Sequence, residues 1–354
     1  MLAFIGLGGL TAKAQWIMYL SRDGRNRRGA VTGAVLAPTL PWAAPGQRPI
    51  IGYAAGTQGM GDQCAPSRQL SEGLEYETPK VLPLLLDGYG VVLTDYEGLG
   101  TPGTHSYLQR APQAHAVLDS IRPAQRLPAA NLPDNGPVCI TRFSQGGGAA
   151  AAAAELQPTY AGELKLKGGY AGGAPADLVA LLAKANGRWA SGLAGGYFIK
   201  GLDDFYPRLQ VQDLLNDAGR QVAEQTNDEC VPETAVRHRF LRHETLTKDG
   251  RSLAEHLAEQ PYKAVMDQQV VGNRKPTAPV LVMQSPNDEL VPYQPARQMA
   301  RKWCDQGANV LFQDLLAPEH GLALREGATR VRPWFRDQLH RRTPNRQLRQ
   351  RLNF

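Results

Sequence analysis

Short runs of apolar residues punctuate the chain at 31–37, 50–55, 89–95, 137–142, 165–171, 279–284 and 309–313. Most are apolar throughout and do not alternate with polar positions, the pattern of strands covered on both faces. Stretches with helical spacing separate the later runs, at about 105–122, 147–156, 295–306 and 322–340. This alternation predicts an α/β fold with a mostly parallel sheet and helices on both faces. Residues 15–21, a turn at 23–29 and the run at 31–37 predict an antiparallel hairpin at one edge. Between about 177 and 275 no strand pattern occurs, and helical pieces alternate with loops. This stretch carries Trp189, Tyr197, Phe198, Phe205 and Tyr206, followed by a polar segment at 224–233. We therefore expect a core made of 1–176 and 276–354, interrupted by a helical insertion over 177–275. The aromatic cluster would form the interior of the insertion and, if the insertion covers the strand ends, part of a site there.

Composition narrows the class. With 354 residues, 42% hydrophobic and 20% charged, the chain is too apolar for disorder and long enough for a large core. No apolar run approaches the ~20 residues of a membrane-spanning helix. The net charge of +6 is unevenly spread. Arg336, Arg341, Arg342, Arg346, Arg349 and Arg351 face only Asp337, and residues 21–28 hold four arginines against Asp23, so the rest of the chain is slightly acidic. Without interleaved aromatic residues the basic tail reads as the solvated end of a helix, not as a nucleic-acid surface. Residues 1–10 are apolar and Ala12-Lys13-Ala14 resembles a cleavage site, but a basic opening segment is missing. Export is the expectation, to the exterior or the cell envelope, without a convincing signal peptide.

Four cysteines, Cys64, Cys139, Cys230 and Cys304, allow three complete pairings. Cys139 lies in an apolar run and reads as a buried thiol. Cys64 and Cys230 sit in loop-like sequence and are the candidate disulfide, which an oxidising compartment would permit.

The sharpest chemical signal is Thr141-Arg142-Phe143-Ser144-Gln145-Gly146-Gly147-Gly148 followed by alanines. A strand runs into Ser144, and a helix with small residues follows, the context of a nucleophile elbow. The amide of Gln145, at the helix start, would donate to a developing oxyanion. Arg142 occupies the position of the first glycine in G-x-S-x-G, so either the backbone adjusts or the site is impaired. A serine hydrolase then needs an acid and a histidine from loops after later strands. Asp288, in Pro286-Asn287-Asp288, lies just past the strand at 279–284, and His320, in Glu319-His320-Gly321, follows the last strand. The order Ser144, Asp288, His320 is that of the α/β-hydrolases, and 32 residues from Asp288 to His320 fit one helix and one strand. Gly56 and Thr57, after the strand at 50–55, are the candidate second oxyanion donors. His105, His115, His238, His243, His256 and His340 have no comparable strand-end setting.

These residues carry a resemblance. Gly56-Thr57-Gln58-Gly59, Cys64-Ala65-Pro66-Ser67, Asp95-Tyr96-Glu97-Gly98-Leu99-Gly100, Ser144-Gln145-Gly146-Gly147, Tyr170-Ala171-Gly172-Gly173, Pro286-Asn287-Asp288 and Glu319-His320 together resemble the secretory lipase family, and its actinobacterial branch most. The resemblance spans about 30–335. It implies an α/β-hydrolase fold with a helical cap, hydrolysis of carboxylic esters including acylglycerols, and pairing of Cys64 with a cap cysteine, here Cys230. Arg142 departs from the pattern, as does Ala55, where relatives commonly have histidine. Altered rate or specificity is the expected consequence of both.

The expected function is serine ester hydrolysis without metal or cofactor, by a monomer whose ester substrate is met in solution or at a lipid–water interface. The same triad serves peptidases and acyltransferases. A catalytically impaired binding role would rest on Arg142 alone.

Overall fold

The computed structural model describes residues 2–7 and 10–340, with side chains from Ala12 to Leu339. Met1, Gly8, Gly9 and the arginines at 341, 342, 346, 349 and 351 lie outside the described residues. The strands are β1 (Leu2–Leu7), β2 (Leu10–Arg22), β3 (Arg28–Pro38), β4 (Ile50–Ala54), β5 (Gly90–Thr94), β6 (Pro137–Phe143), β7 (Lys165–Gly172), β8 (Val280–Gln284) and β9 (Val310–Asp314). They form one sheet in the order β1-β2-β3-β5-β4-β6-β7-β8-β9. Strands β1 to β3 are antiparallel to their neighbours, and β4 to β9 are parallel. Every residue of β4, β5 and β8 is buried, as the unbroken apolar runs require. Ala12 and Ala14 face the core from within β2.

Helices α1 (Pro66–Glu72) and α2 (Thr78–Leu86) connect β4 to β5, and α3 (Arg110–Arg126) connects β5 to β6. Helix α4 (Gln145–Tyr160) follows β6. Between β7 and β8 lie α5 (Leu178–Ala185), α6 (Phe198–Phe205), α7 (Asp217–Thr226), α8 (Val231–Arg237), α9 (Leu253–Leu257) and α10 (Tyr262–Gln269). Helix α11 (Tyr293–Asp305) joins β8 to β9, and α12 (His320–His340) follows β9. Two differences from the sequence reading matter. The β4–β5 connection is helical, although α1 and α2 are too short to show a period. The helix expected from 105 begins only at Arg110, because Leu108 is left-handed at φ 57° and His105 turns into the interior.

The sheet and its helices share one hydrophobic core that includes Trp303, Phe335 and the alanines 149–154 of α4. The segment between β7 and β8 builds a second cluster from α5, α6 and α9, with Tyr197 and Phe198 buried at its centre. Leu290, Val291 and Tyr107, from loops at the sheet, belong to that same cluster. Trp189 of the aromatic group stays 41% exposed.

A disulfide joins Cys64 to Cys230, 166 residues apart. Backbone bonds flank it, from the Met60 N–H to the Glu229 carbonyl at 3.0 Å and from the Val231 N–H to the Gln58 carbonyl at 2.9 Å. Cys139 is a buried free thiol, and Cys304 is also free. A link closing so long a loop is worth about 5 kcal/mol in the chain-entropy picture, and measured values for native disulfides run about 2–5 kcal/mol. Replacing both cysteines by serine is therefore expected to lower the thermal midpoint by several degrees. An unchanged melting curve would show that the flanking backbone bonds hold the junction alone.

Candidate functional site

The site is built on the turn between β6 and α4. Ser144 has φ 62° and ψ −131°, a conformation that costs a residue with a side chain on the order of 1–3 kcal/mol. Its N–H donates to the Gly172 carbonyl at 3.0 Å, and its carbonyl accepts from the Gly148 N–H at 3.0 Å. The glycines after it let α4 lie directly on the sheet. A Cβ at Gly146 would sit 1.9 Å from the Ala54 carbonyl oxygen, and one at Gly147 would sit 2.0 Å from that of Gly172. No side chain fits at either position, and the serine is held where strand and helix meet.

Two loops at the same sheet end bring the other candidates to Ser144. His320, at the start of α12, has its Nε2 2.9 Å from Ser144 Oγ and its Nδ1 2.7 Å from Asp288 Oδ2. The carboxylate makes Nδ1 the protonated nitrogen, so Nε2 accepts from the hydroxyl. Asp288, in the loop after β8, is 1% exposed. Its Oδ1 accepts the amides of Leu290 and Val291, both at 2.9 Å, and its Oδ2 also accepts from Gln284 Nε2 at 3.2 Å. Burial alone would raise the pKa of this carboxyl. The hydrogen bond and charge of His320 and the two amides outweigh burial and hold the pKa below the usual carboxylate range. Phe143 packs against the imidazole, with ring centroids 5.0 Å apart. Glu289 braces the same point, accepting the His320 N–H at 2.7 Å on one oxygen and the Trp189 indole N–H at 3.1 Å on the other. A hydroxyl bonded to an imidazole that a buried carboxylate backs is an arrangement that can attack a carbonyl carbon.

Of the candidate oxyanion residues, Gln145 opens α4, and Thr57 lines the same cavity as Ser144. Gly56 corrects the expectation: its amide donates to Glu77 Oε1 at 2.9 Å and is occupied. Arg142 does not reach Ser144. Its side chain turns beneath the elbow, where Nε donates to Glu77 Oε1 at 2.8 Å, a second nitrogen donates to Oε2, and the guanidinium lies 5.2 Å above the Tyr53 ring. Burial works against the charge on Arg142, but the Glu77 carboxylate outweighs it and strengthens protonation. A buried arginine in an apolar strand demands an acidic partner, so the sequence held a signal for Glu77 that naming the partner required the fold to read.

The cavity over Ser144 has a volume of about 640 Å³, and Leu181, Trp189, Leu193, Val231 and Leu290 contribute to its mostly apolar wall. Among the described residues, no group of three or more His, Cys, Asp and Glu side chains could hold a metal ion.

His105 has no sequence signal yet lies beneath this site. Its Nδ1 is 3.1 Å from the Glu97 carbonyl, and its Nε2 is 3.1 Å from Gln145 Nε2. The carbonyl fixes the proton on Nδ1, so Nε2 accepts from the Gln145 amide and steadies the first residue of α4. Burial lowers the His105 pKa from 6.5 to about 4, against the weaker pull of the Glu97 carbonyl. The unfolded chain takes up this proton near pH 6.5 and the folded chain only near pH 4. Stability from this group is therefore complete above 6.5, falls through that window and is lost below 4, by about 3 kcal/mol. Urea unfolding between pH 7 and pH 4 should show this slope in the native chain and a shallower one in His105→Gln; equal slopes would place the titration elsewhere.

The chain is 27% identical to the secreted triacylglycerol lipase LIP1 of Malassezia furfur over 87% of its own length and 64% of that protein's, so it spans just under two thirds of this relative. It is also 27% identical to a protein of Mycobacterium tuberculosis named a probable inactive lipase, over 90% of this chain and 72% of that protein. Among solved structures it superposes on Candida antarctica lipase A with a TM-score of 0.77 and 26% identity, over 87% of this chain and 73% of that one. The α/β-hydrolase fold is thereby established, and residues 66–346 match the secretory lipase family. The chain belongs to the secretory lipase family.

Proposed function

We propose that this chain is a serine carboxylic-ester hydrolase, a lipase or esterase acting through an acyl-enzyme on Ser144. One observation carries the reading: Ser144, His320 and Asp288 form a continuous hydrogen-bonded line that opens on an apolar cavity. In this reading His320 Nε2 takes the proton from Ser144 Oγ as Oγ bonds to the ester carbonyl carbon. Asp288 orients the imidazole and stabilises its cationic form. The amides of Gln145 and Thr57 receive the oxyanion. His320 then gives its proton to the departing alkoxide, which leaves as the alcohol. Water, deprotonated by the same imidazole, cleaves the acyl-enzyme and returns the hydroxyl to Ser144. The sequence of steps uses no cofactor.

The apolar wall of the cavity supports an apolar acyl or alcohol group in the substrate. The segment 177–275 would be the cap over the site, since its Trp189 and Leu193 form part of that wall. No helix among the described residues is long and apolar enough to cross a membrane. The Malassezia relative is named a secreted lipase, and we read this chain too as an exported protein, a monomer that meets acylglycerols or similar esters at a lipid–water interface.

The relative named a probable inactive lipase favours a second reading, a binding protein on the same fold. Hydrolysis of p-nitrophenyl esters from acetate to palmitate separates the two. The ester-hydrolase reading expects turnover in the native chain, a fall of at least about 10⁴-fold in kcat for Ser144→Ala and a fall of similar size for Asp288→Asn. Native protein that binds the esters without turning them over would support the binding reading. Activity that survives in Ser144→Ala would assign the nucleophile to another residue.

A further inference from the structure

The loop after β4 is held by an arrangement that hydrolysis does not by itself explain. Three consecutive residues, Glu75, Tyr76 and Glu77, grip three consecutive residues of that loop in reverse order. Glu75 Oε1 accepts from Gln58 Nε2 at 3.1 Å. The Tyr76 hydroxyl donates to the Thr57 carbonyl at 2.8 Å. Glu77 Oε1 accepts the Gly56 amide at 2.9 Å. The first and third grips are themselves joined, because the Glu77 amide donates to Glu75 Oε1 at 2.8 Å.

Glu77 is wholly buried, and its carboxylate also receives the Tyr53 hydroxyl at 3.2 Å and both arms of the Arg142 guanidinium. Arg142 lies on β6 only two residues before Ser144. A rigid path therefore runs from the nucleophile's own strand through Arg142 and Glu77 to the Gly56 amide, and so to the peptide that presents the Thr57 N–H. Room for that path comes from Gly146, where a Cβ would stand 2.5 Å from Arg142 Cγ. A buried ion pair is weak evidence of stability, because an apolar pair of similar volume often does as well. Such a pair is better suited to fixing one geometry among several.

We propose that Arg142 and Glu77 are positioning residues that set the distance between Ser144 and the oxyanion donor on Thr57. The inference rests on the ester-hydrolase reading. Neither residue contacts the reacting atoms; they act through the Ala55–Gly56 peptide, which Glu77 holds one residue before the Thr57 N–H. An oxyanion donor must sit 2.7–3.1 Å from where the charge develops, and losing one costs about 10²–10³-fold in kcat. Arg142 thus takes over the elbow position usually left to glycine, and ties the elbow to the donor loop.

Two double variants separate positioning from stability, since both remove the buried charges together. Arg142→Met with Glu77→Gln keeps an oxygen to accept the Gly56 amide, whereas Arg142→Met with Glu77→Met does not. Both should fold with similar thermal midpoints. The first, which breaks the Arg142 link but keeps the grip on the Gly56 amide, should lose about 5-fold in kcat, and a native kcat in it would overturn the role of Arg142. The second should lose about 10–100-fold in kcat with KM nearly unchanged. Affinity for an alkyl boronic acid, which forms a tetrahedral adduct on the serine, should fall in parallel with kcat. Equal kcat in the two folded double variants, or a loss confined to KM, would overturn the proposal. Ser144→Ala and the native chain run beside them: a native chain without turnover, or an active Ser144→Ala, would instead sink the ester-hydrolase reading and this proposal with it.

Discussion

Ser144 is held at φ 62° between a buried strand and a buried helix, and the other features of the site are arranged around that turn. A side chain in this backbone region persists only when its surroundings over-determine it. Here they do so by contact of bare backbone. Helix α4 rests through Gly146 and Gly147 on the carbonyls of Ala54 and Gly172, closer than any Cβ would allow. The six alanines that follow keep the approach close along the helix. The turn thus belongs to three strands at once, β4, β6 and β7, and its energy is spread over the centre of the sheet.

Around that fixed point, the sheet delivers its chemistry from loops at one end. Asp288 follows β8 and His320 follows β9, so the imidazole and carboxylate arrive on separate connections. Their loops are pinned locally, Asp288 by the amides of Leu290 and Val291 and His320 by Glu289. The disulfide ties the loop near β4 to α8, so the segment between β7 and β8 is anchored at a third place besides its two chain connections.

Much of this was legible in the sequence, for reasons that can be named. Strands buried on both faces are apolar at every position, and β4, β5 and β8 stood out on that basis alone. The Ser144, Asp288, His320 order was readable because each residue follows a recognisable strand. The start of α3 was misjudged because residues 105–109 continue its spacing, while the turn at Leu108 and the burial of His105 depend on partners elsewhere. Gly56 was misread for a related reason: a glycine after a strand offers an amide, but only the fold reveals that Glu77 already holds it. Arg142 leaves an adjusted backbone and an impaired site both open in the sequence, because the acid that binds it lies 65 residues away in a connection with no strong period.

Glu289 divides its two oxygens between the helix that begins at His320 and the indole of Trp189, which borders the cavity. The position of the indole and the setting of the imidazole are therefore linked in free energy, and linkage is reciprocal. Whatever draws Trp189 away from Glu289 removes one of two donors from the carboxylate that braces His320. By the same amount, whatever steadies His320 favours Trp189 in place. The wall of the cavity and the seat of the imidazole share a single side chain.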